Sequence, residues 1–336
     1  MEPVCNINNV EHESENIFNE KPNVSDFECI KTLGNGAYGK VYLVNWKEKP
    51  TRRFALKVMK KRFIVNRRLQ NRVCEERNIL LQMKNPFICR LYETFKDRKY
   101  VYMVLEACTN GSIWSLHRNT GPFDETMTQF TVASVVEALG YIHTRGVIHR
   151  DVKPENLLVT SSGYVKLCDF GLAKQLRPGE RTETHCGTPE YMAPEMWNNE
   201  PYDRMVDIWS LGVLTMELLS NETPNILNNG TEKYAYFENV FKVFHGACFA
   251  EDTKSLVNSL CERLPRDRLG YGEDGIANIK RHPYFDGFAW NDLQFQRLES
   301  PLKPRLSRRN YFSEFDLKVD YEEHVPDETS GWDEDF

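Results

Sequence analysis

Alternating apolar and polar residues dominate the chain from Phe27 to about Tyr102. "FECIKTL", "KVYLVNW" and "FALKVMK" are rich in β-branched and aromatic side chains. Turn-forming stretches such as "KEKPT" separate them, so each is a predicted strand. One segment breaks the alternation: in "NRRLQNRVCEERNILLQM" the apolar residues recur at helical spacing. Past residue 110 the helical period takes over. "DETMTQFTVASVVEALGYIHTRG" is a predicted helix with Asp124 as its N-cap and Gly146 as its C-terminal stop. "MVDIWSLGVLTMELLS" is apolar nearly all round, which predicts a buried helix. Residues 1–26 are polar and acidic and are predicted to be disordered. Residues 286–336 are rich in Pro, Asp and Glu with scattered aromatics, and no internal repeat is present. The order predicts an α+β architecture: a small β-rich lobe over about 27–106, a larger helical lobe over about 107–285, and an extended tail.

Composition narrows the classes. The chain has 336 residues with 40% hydrophobic, enough for one large two-lobed domain. A formal net charge of −6 argues against a dedicated nucleic-acid binder. No apolar run reaches the roughly 18–20 residues that span a bilayer. "MEPVCNINNVEHESEN" lacks the basic and apolar regions of a signal peptide, and Glu2 excludes N-terminal myristoylation. Nine cysteines without a C-x-x-C pair read as reduced thiols, and a cytoplasmic location is expected. The Asn-x-Ser/Thr triplets at Asn23, Asn221 and Asn229 would matter only in a secreted protein.

Candidate chemistry begins with "LGNGAYGKVYLV", where Gly34, Gly36 and Gly39 form G-x-G-x-x-G-x-V. A dinucleotide-binding fold would place a helix after the third glycine; a strand follows here, so an oxidoreductase reading is set aside. Strand, loop and strand suit a flap whose backbone covers nucleotide phosphates. Lys57 lies in a strand predicted to pack beneath it, and Glu76 in the following helix could fix its ammonium. "EER" also offers Glu75, but Glu76 stands three before Ile79, where the helix turns into the core. In "VIHRDVKPENLLV", Asp151 can accept or orient the proton of an attacking hydroxyl, and Lys153 can stabilise a transferring phosphoryl group. Asn156 and, in "KLCDFGLAK", Asp169 offer hard oxygen ligands suited to Mg²⁺. Each motif alone reads equally well as a turn or a solvated charge. The order of Gly-loop, Lys, Glu, H-R-D-x-x-x-x-N, D-F-G and A-P-E decides against that reading.

That ordered set resembles the eukaryotic protein kinases over Phe27 to Phe285. "DVKPEN" is similar to the serine/threonine type. "THCGTPEYMAPE" and the tail resemble the AGC group, and "KDRKYVYMVLEAC" with the terminal "SGWDEDF" resembles the catalytic region of cGMP-dependent protein kinases. The resemblance implies a bilobal fold, ATP and Mg²⁺ as cofactors, Ser/Thr hydroxyls of proteins as acceptors, and an upstream activating kinase. Only 26 residues precede Phe27, so no cyclic-nucleotide-binding domain is expected in this chain.

The resemblance also assigns site residues. Leu33, Gly34, Asn35, Gly36, Ala37, Tyr38, Gly39, Lys40 and Val41 would form the ATP flap, with Val41, Ala55 and Leu158 lining the adenine ring. Leu105 would be the gatekeeper, and the Glu106 carbonyl and Cys108 N–H would meet adenine. Glu195 and Arg268 would pair to anchor the activation segment, and Asp207 would brace the catalytic loop. Thr184 matches the activating phosphosite, with Arg150 pairing its phosphate; Thr182 is the weaker candidate. Thr188 matches the hydroxyl that bridges Asp151 and Lys153, and Glu155 remains available for a basic residue of the substrate.

Four places depart from or extend the pattern. Ser112 stands where such kinases often carry an acid, which removes one contact to basic substrates. "NETPNILNNGTEKYAY" predicts a reshaped substrate groove, and Glu334 in place of an apolar residue predicts looser docking of the tail. Phe312 or Phe315 is the candidate tail aromatic beside adenine. These departures motivate the alternative of a nucleotide-binding scaffold without catalysis, although no catalytic position is lost.

Overall fold

A computed structural model describes residues 17–36, 39–220, 249–306 and 327–336. Ala37, Tyr38, the "NETPNILNNGTEKYAY" stretch, Phe312 and Phe315 lie outside those residues. The smaller lobe is a five-stranded antiparallel sheet in the order β1-β2-β3-β5-β4. Its strands are β1 (Phe27–Gly36), β2 (Gly39–Trp46), β3 (Lys49–Lys60), β4 (Leu91–Lys96) and β5 (Tyr100–Glu106). β2 lies so close to β3 that a Cβ at Gly39 would sit 2.0 Å from the Val58 carbonyl oxygen. Any side chain there would part the two strands, which accounts for the third glycine of the flap.

The helix predicted over 66–83 starts later: a separate short helix, α1 (Lys61–Asn66), ends as that segment begins, Arg68 takes φ 55°, and α2 (Gln70–Leu81) follows. A non-glycine residue in the left-handed region cannot continue a right-handed helix. α2 buries Val73, Glu76, Ile79 and Leu80, the three- and four-residue spacing that puts them on one face.

Both faces of the sheet are covered. Met59, Val101 and Met103 join the α2 residues in a core that runs on into the larger lobe. The other face carries an aromatic cluster in which Phe95 stacks on Tyr102 at 4.5 Å and on Phe27 at 6.0 Å. Phe18 completes that cluster, 4.9 Å from Trp46 and 5.5 Å from Phe54. Disorder was expected as far as residue 26; instead the chain packs from Ile17 onward, and Asn23 caps a short 3-10 turn over Val24–Asp26. The cause is Phe18, an aromatic that removes apolar sheet surface from water.

The larger lobe is built on α4 (Glu125–His143) and α6 (Met205–Ser220). Around them lie α3 (Ile113–Thr120), the short α5 (Pro194–Trp197), a helix at Glu251–Leu260 and smaller pieces. Asp124 caps α4 by accepting from the Met127 N–H at 2.8 Å. The chain leaves α4 through Gly146, at φ 71°, whose Cβ would meet the Leu176 carbonyl oxygen at 2.5 Å. Every residue of α6 from Met205 to Leu219 is buried. Between these helices and the sheet run the small ribbons β6 (Val147–Ile148) with β9 (Lys174–Gln175) and β7 (Leu157–Val159) with β8 (Val165–Leu167).

The last residues return to the smaller lobe. Asp333 is buried with its Oδ2 2.5 Å from Lys61 Nζ, and Phe336 is buried beneath the Arg77 guanidinium at 5.4 Å. Glu334 is exposed, so the looser docking expected from it does not follow: Asp333 and Phe336 carry the contact. Among the described residues no helix is long and apolar enough to cross a membrane.

Removing the ring that completes the aromatic cluster tests the new boundary. Phe18→Ala should lower the unfolding free energy by about 3 kcal/mol. The reading is a lower urea midpoint with an unchanged slope; an unmoved midpoint would show that the segment contributes no packing.

Candidate active site

Lys57 lies opposite Val41 of β2 and Met103 of β5, in the interior of the sheet. Its ammonium is buried 2.6 Å from Glu76 Oε1 and 3.9 Å from Asp169 Oδ1. Glu76 belongs to the buried face of α2, whereas Glu75 is half-buried beside it, so the choice between the two acids falls on Glu76. Burial pushes the Glu76 carboxyl up, and the Lys57 ammonium pulls against that. Ala55 and Cys108 are buried, while Leu33, Val41, Leu105, Glu106 and Leu158 are half-buried; Gly34 and Lys40 are exposed. Asn35 and Gly36 pair with Lys40 and Gly39 in the β-hairpin of the flap. Glu106 turns its carboxylate to Lys166, at 2.9 Å, and its carbonyl accepts from Cys89 Sγ at 3.5 Å.

The loop from His149 to Asn156 gathers the second half of the site. Asp151 Oδ1 accepts from the Thr188 hydroxyl at 2.6 Å, and Oδ2 lies 2.9 Å from Lys153 Nζ. Lys153 also donates to Thr188 Oγ1 at 2.5 Å, so the hydroxyl bridges the pair. Asn156 Nδ2 donates to the Asp151 carbonyl at 2.8 Å and to its carboxylate at 2.9 Å, which turns the amide oxygen the other way. Burial raises the Asp151 pKa, but the bonds from Thr188 and Lys153 outweigh it and hold the carboxyl below its usual value. Asp169 stands at φ 58° with about half of its side chain exposed, while Phe170 is fully buried 4.9 Å from the His149 ring. The left-handed turn separates the two, sending the carboxylate toward the cleft and the phenyl ring into the core.

Asp207 supports the loop from α6. Its carboxylate accepts from the backbone N–H groups of His149, at 2.9 Å, and Arg150, at 2.8 Å, and lies 2.8 Å from His143 Nε2.

A family model described as protein kinase domain matches residues 27–285. The chain belongs to the protein kinase domain family. It is 43% identical over 321 residues to cGMP-dependent protein kinase 2 of Mus musculus, covering 93% of this chain and 41% of that protein. The corresponding protein of Homo sapiens is 42% identical over 329 residues, covering 95% and 42%. cGMP-dependent protein kinase, isozyme 2 forms cD5/T2, of Drosophila melanogaster is 42% identical over 325 residues, covering 94% and 34%. The chain therefore spans about a third to two fifths of the length of these relatives.

The segment of the kinase domain after the D-F-G turn is held by two sets of contacts. Thr182 and Tyr202 exchange both backbone hydrogen bonds, and Lys174 Nζ lies 2.9 Å from the Thr182 hydroxyl. Thr182 is thereby buried, whereas Thr184 is exposed. The Tyr202 hydroxyl donates to the Thr184 carbonyl at 2.6 Å and accepts from Arg150 at 3.3 Å, so Arg150 and Thr184 meet through a common neighbour. Further along, Arg268 makes a bidentate pair with Glu195, both bonds at 2.6 Å, fully buried against Trp209 at 5.2 Å. The two sequence-predicted partners are brought together.

Two residues that the motifs do not mark belong to the site. Glu217, near the end of α6, is buried and takes a hydrogen bond from the Tyr191 hydroxyl. Burial raises its pKa, Tyr191 opposes this, and the neighbouring charges of Glu155 and Glu190 push it further, to about 7. An acidic cluster thus lies beside the catalytic loop; its signal in the sequence is an acid near the end of an apolar helix. Tyr202 is the second, and a loop tyrosine gives no such signal. Ser112 accepts from the Ser115 N–H at 3.2 Å as the N-cap of α3, so its hydroxyl is engaged in capping.

The buried pair gives a stability test. Arg268→Leu leaves Glu195 as an uncompensated buried charge and should cost about 3–5 kcal/mol. Pairing it with Glu195→Leu should restore most of that loss in urea denaturation; no recovery would place the cost elsewhere.

Proposed function

We propose that this chain is a serine/threonine protein kinase that transfers the γ-phosphoryl group of ATP to protein hydroxyls beside basic residues. The convergence of Asp151, Lys153, Asn156 and Thr188 on one side of the cleft, opposite Lys57, Glu76 and Asp169, carries this reading. Phosphoryl transfer has a loose transition state, so catalysis comes mainly from placement and charge. A carboxylate held below its usual pKa is a weak base; Asp151 therefore acts chiefly by accepting a hydrogen bond from the acceptor hydroxyl and aiming its oxygen. Lys153, fixed by Thr188, places positive charge where the phosphoryl group passes. Lys57, steadied by Glu76, meets the α- and β-phosphates beneath the flap of residues 33–41. Asn156 and Asp169 fit Mg²⁺ as hard oxygen donors, and Mg²⁺ when bound neutralises the phosphate oxygens.

In this reading Thr184 is the phosphosite of an upstream kinase, with Arg150 positioned to pair its phosphate. The docked residues Asp327–Phe336 support an AGC-type tail, and likeness to cGMP-dependent kinases supports that branch. Seven described cysteines are free thiols, the state a reducing cytoplasm maintains. A scaffold without catalysis has less support, since each catalytic side chain has its partner.

Asp151→Asn should lower kcat on a Ser peptide flanked by arginines about 10³-fold, with ATP affinity changed less than about twofold. Wild-type chain that binds ATP but transfers nothing to such peptides after Thr184 phosphorylation would overturn the reading. Selectivity has its own test. Glu217 is charged above about pH 7 and neutral below it, so its attraction for a substrate guanidinium fades as pH falls. KM for an Arg-containing peptide should rise several-fold from about pH 8 to about pH 6, a step that Glu217→Gln removes. A step that persists in that variant would assign selectivity to other groups.

A further inference from the structure

A groove of about 1120 Å³ lies between the end of α4, the β6–β9 ribbon and the chain from Leu176 to Arg181. Four arginines line it: Arg145, Arg177, Arg181 and Arg204. Two acids line it as well, and both are engaged with backbone amides. Glu180 accepts from the Arg177 N–H at 2.9 Å, and Asp203 accepts from the Met205 N–H at 3.0 Å. Arg145 lies 3.6 Å over the Tyr141 ring and donates to the Tyr141 carbonyl, and Arg204 donates to the Gly272 carbonyl at 2.7 Å. Among the described residues none of the four guanidiniums pairs with a carboxylate, and Arg145, Arg177 and Arg181 are exposed.

Such a cluster is unexpected on a chain of net charge −6, where guanidiniums have many acids to pair with. Beneath the arginines, Val147, Ile148 and Leu176 are buried, so the exposed lining is supplied by the guanidiniums and the chain around them. We propose that this groove is a docking site for an acidic peptide segment of a protein partner. Guanidiniums match carboxylates in paired hydrogen bonds, and a concave surface holds an extended segment along its length. A flat anionic membrane or a long polyanion fits less well, because the rest of this acidic chain repels either one beyond the groove.

The site also lies next to the catalytic machinery without forming part of it. His143 in the groove wall has its Nε2 2.8 Å from Asp207, the carboxylate that holds the His149 and Arg150 amides. An occupant therefore rests one side chain away from the brace of the catalytic loop. None of Glu155, Glu190 and Glu217 lines the groove, so it is separate from the acidic cluster.

The probe is a fluorescein-labelled peptide of alternating Glu and Leu, titrated with the full chain and followed by fluorescence anisotropy. Saturable binding that weakens with added salt is expected, and Arg177→Glu combined with Arg181→Glu should weaken it about tenfold at an unchanged melting temperature. Undiminished binding by that double variant would overturn the proposal. So would no binding of the peptide, with or without binding of phosphatidylserine vesicles or a DNA oligonucleotide. Because this reading uses no ATP or acceptor hydroxyl, its failure leaves the assignment of phosphoryl transfer untouched.

Discussion

A carboxylate with no exposure to water holds the catalytic loop in place. Asp207 sits in the first turn of α6, 0% exposed, and a bare charge at that depth would cost several kcal/mol. Burial raises its pKa, but the hydrogen bond and charge of His143 and the charge and amide of His149 outweigh that and hold it below its usual value. The dependence runs both ways. Arg150 stands at φ 67°, a left-handed conformation that its side chain does not favour and that the Asp207 contact helps to fix. With Arg150 turned in this way, Asp151 follows into reach of Thr188 and Lys153, and the Arg150 guanidinium reaches the Leu172 carbonyl and Tyr202. One desolvated acid thus orders both the loop that carries Asp151 and the contacts of Arg150 with the segment after the D-F-G turn.

Positions that must meet a local physical demand leave a local mark in the amino-acid sequence, and much of the site is legible there for that reason. Gly39 is required by the approach of β3, Asp124 by unpaired amides at a helix start, and α6 by burial on every side. The order of the catalytic motifs is equally plain because one loop carries Asp151, Lys153 and Asn156 within six residues of chain. Residues whose roles arise from distant partners leave no such mark. Glu217 acquires its raised pKa from burial and from Glu155 and Glu190, which come from other segments. Phe18 is a lone aromatic in a polar stretch, and only the outer face of a folded sheet gives it a place. The break at Arg68 is hidden for a different reason: an arginine is a good helix former, and its positive φ is imposed by the packing around it.

The same distinction separates the two ends of the acidic chemistry. Ser112 removes an acid that the pattern leads one to expect, yet its hydroxyl is bound into the cap of α3 and offers little to a substrate. The acidic character of the cleft is therefore concentrated near Glu155, Glu190 and Glu217, on the side of the catalytic loop. Arg145, Arg177, Arg181 and Arg204 line a groove to which none of those three acids contributes. A net charge of −6 conceals this separation, because it sums over surfaces that different molecules meet.

The docked tail adds a mechanical constraint on the smaller lobe. α2 presents Glu76 to Lys57 on its buried face and, one residue away, Arg77 to the carbonyl of Asp335 and the ring of Phe336. Cys74 of the same helix donates to the Trp332 carbonyl at 3.7 Å, while Lys61 at the start of α1 grips Asp333. A short helix with its first turn uncapped by any side chain has little rigidity of its own. Contacts on both of its faces supply that rigidity: Trp332, Asp335 and Phe336 hold α2 from outside, and Lys57 holds it from within. The position of Glu76 is then set by the last residues of the chain as well as by the strand it faces, so those residues and the centre of the cleft are parts of one packed unit.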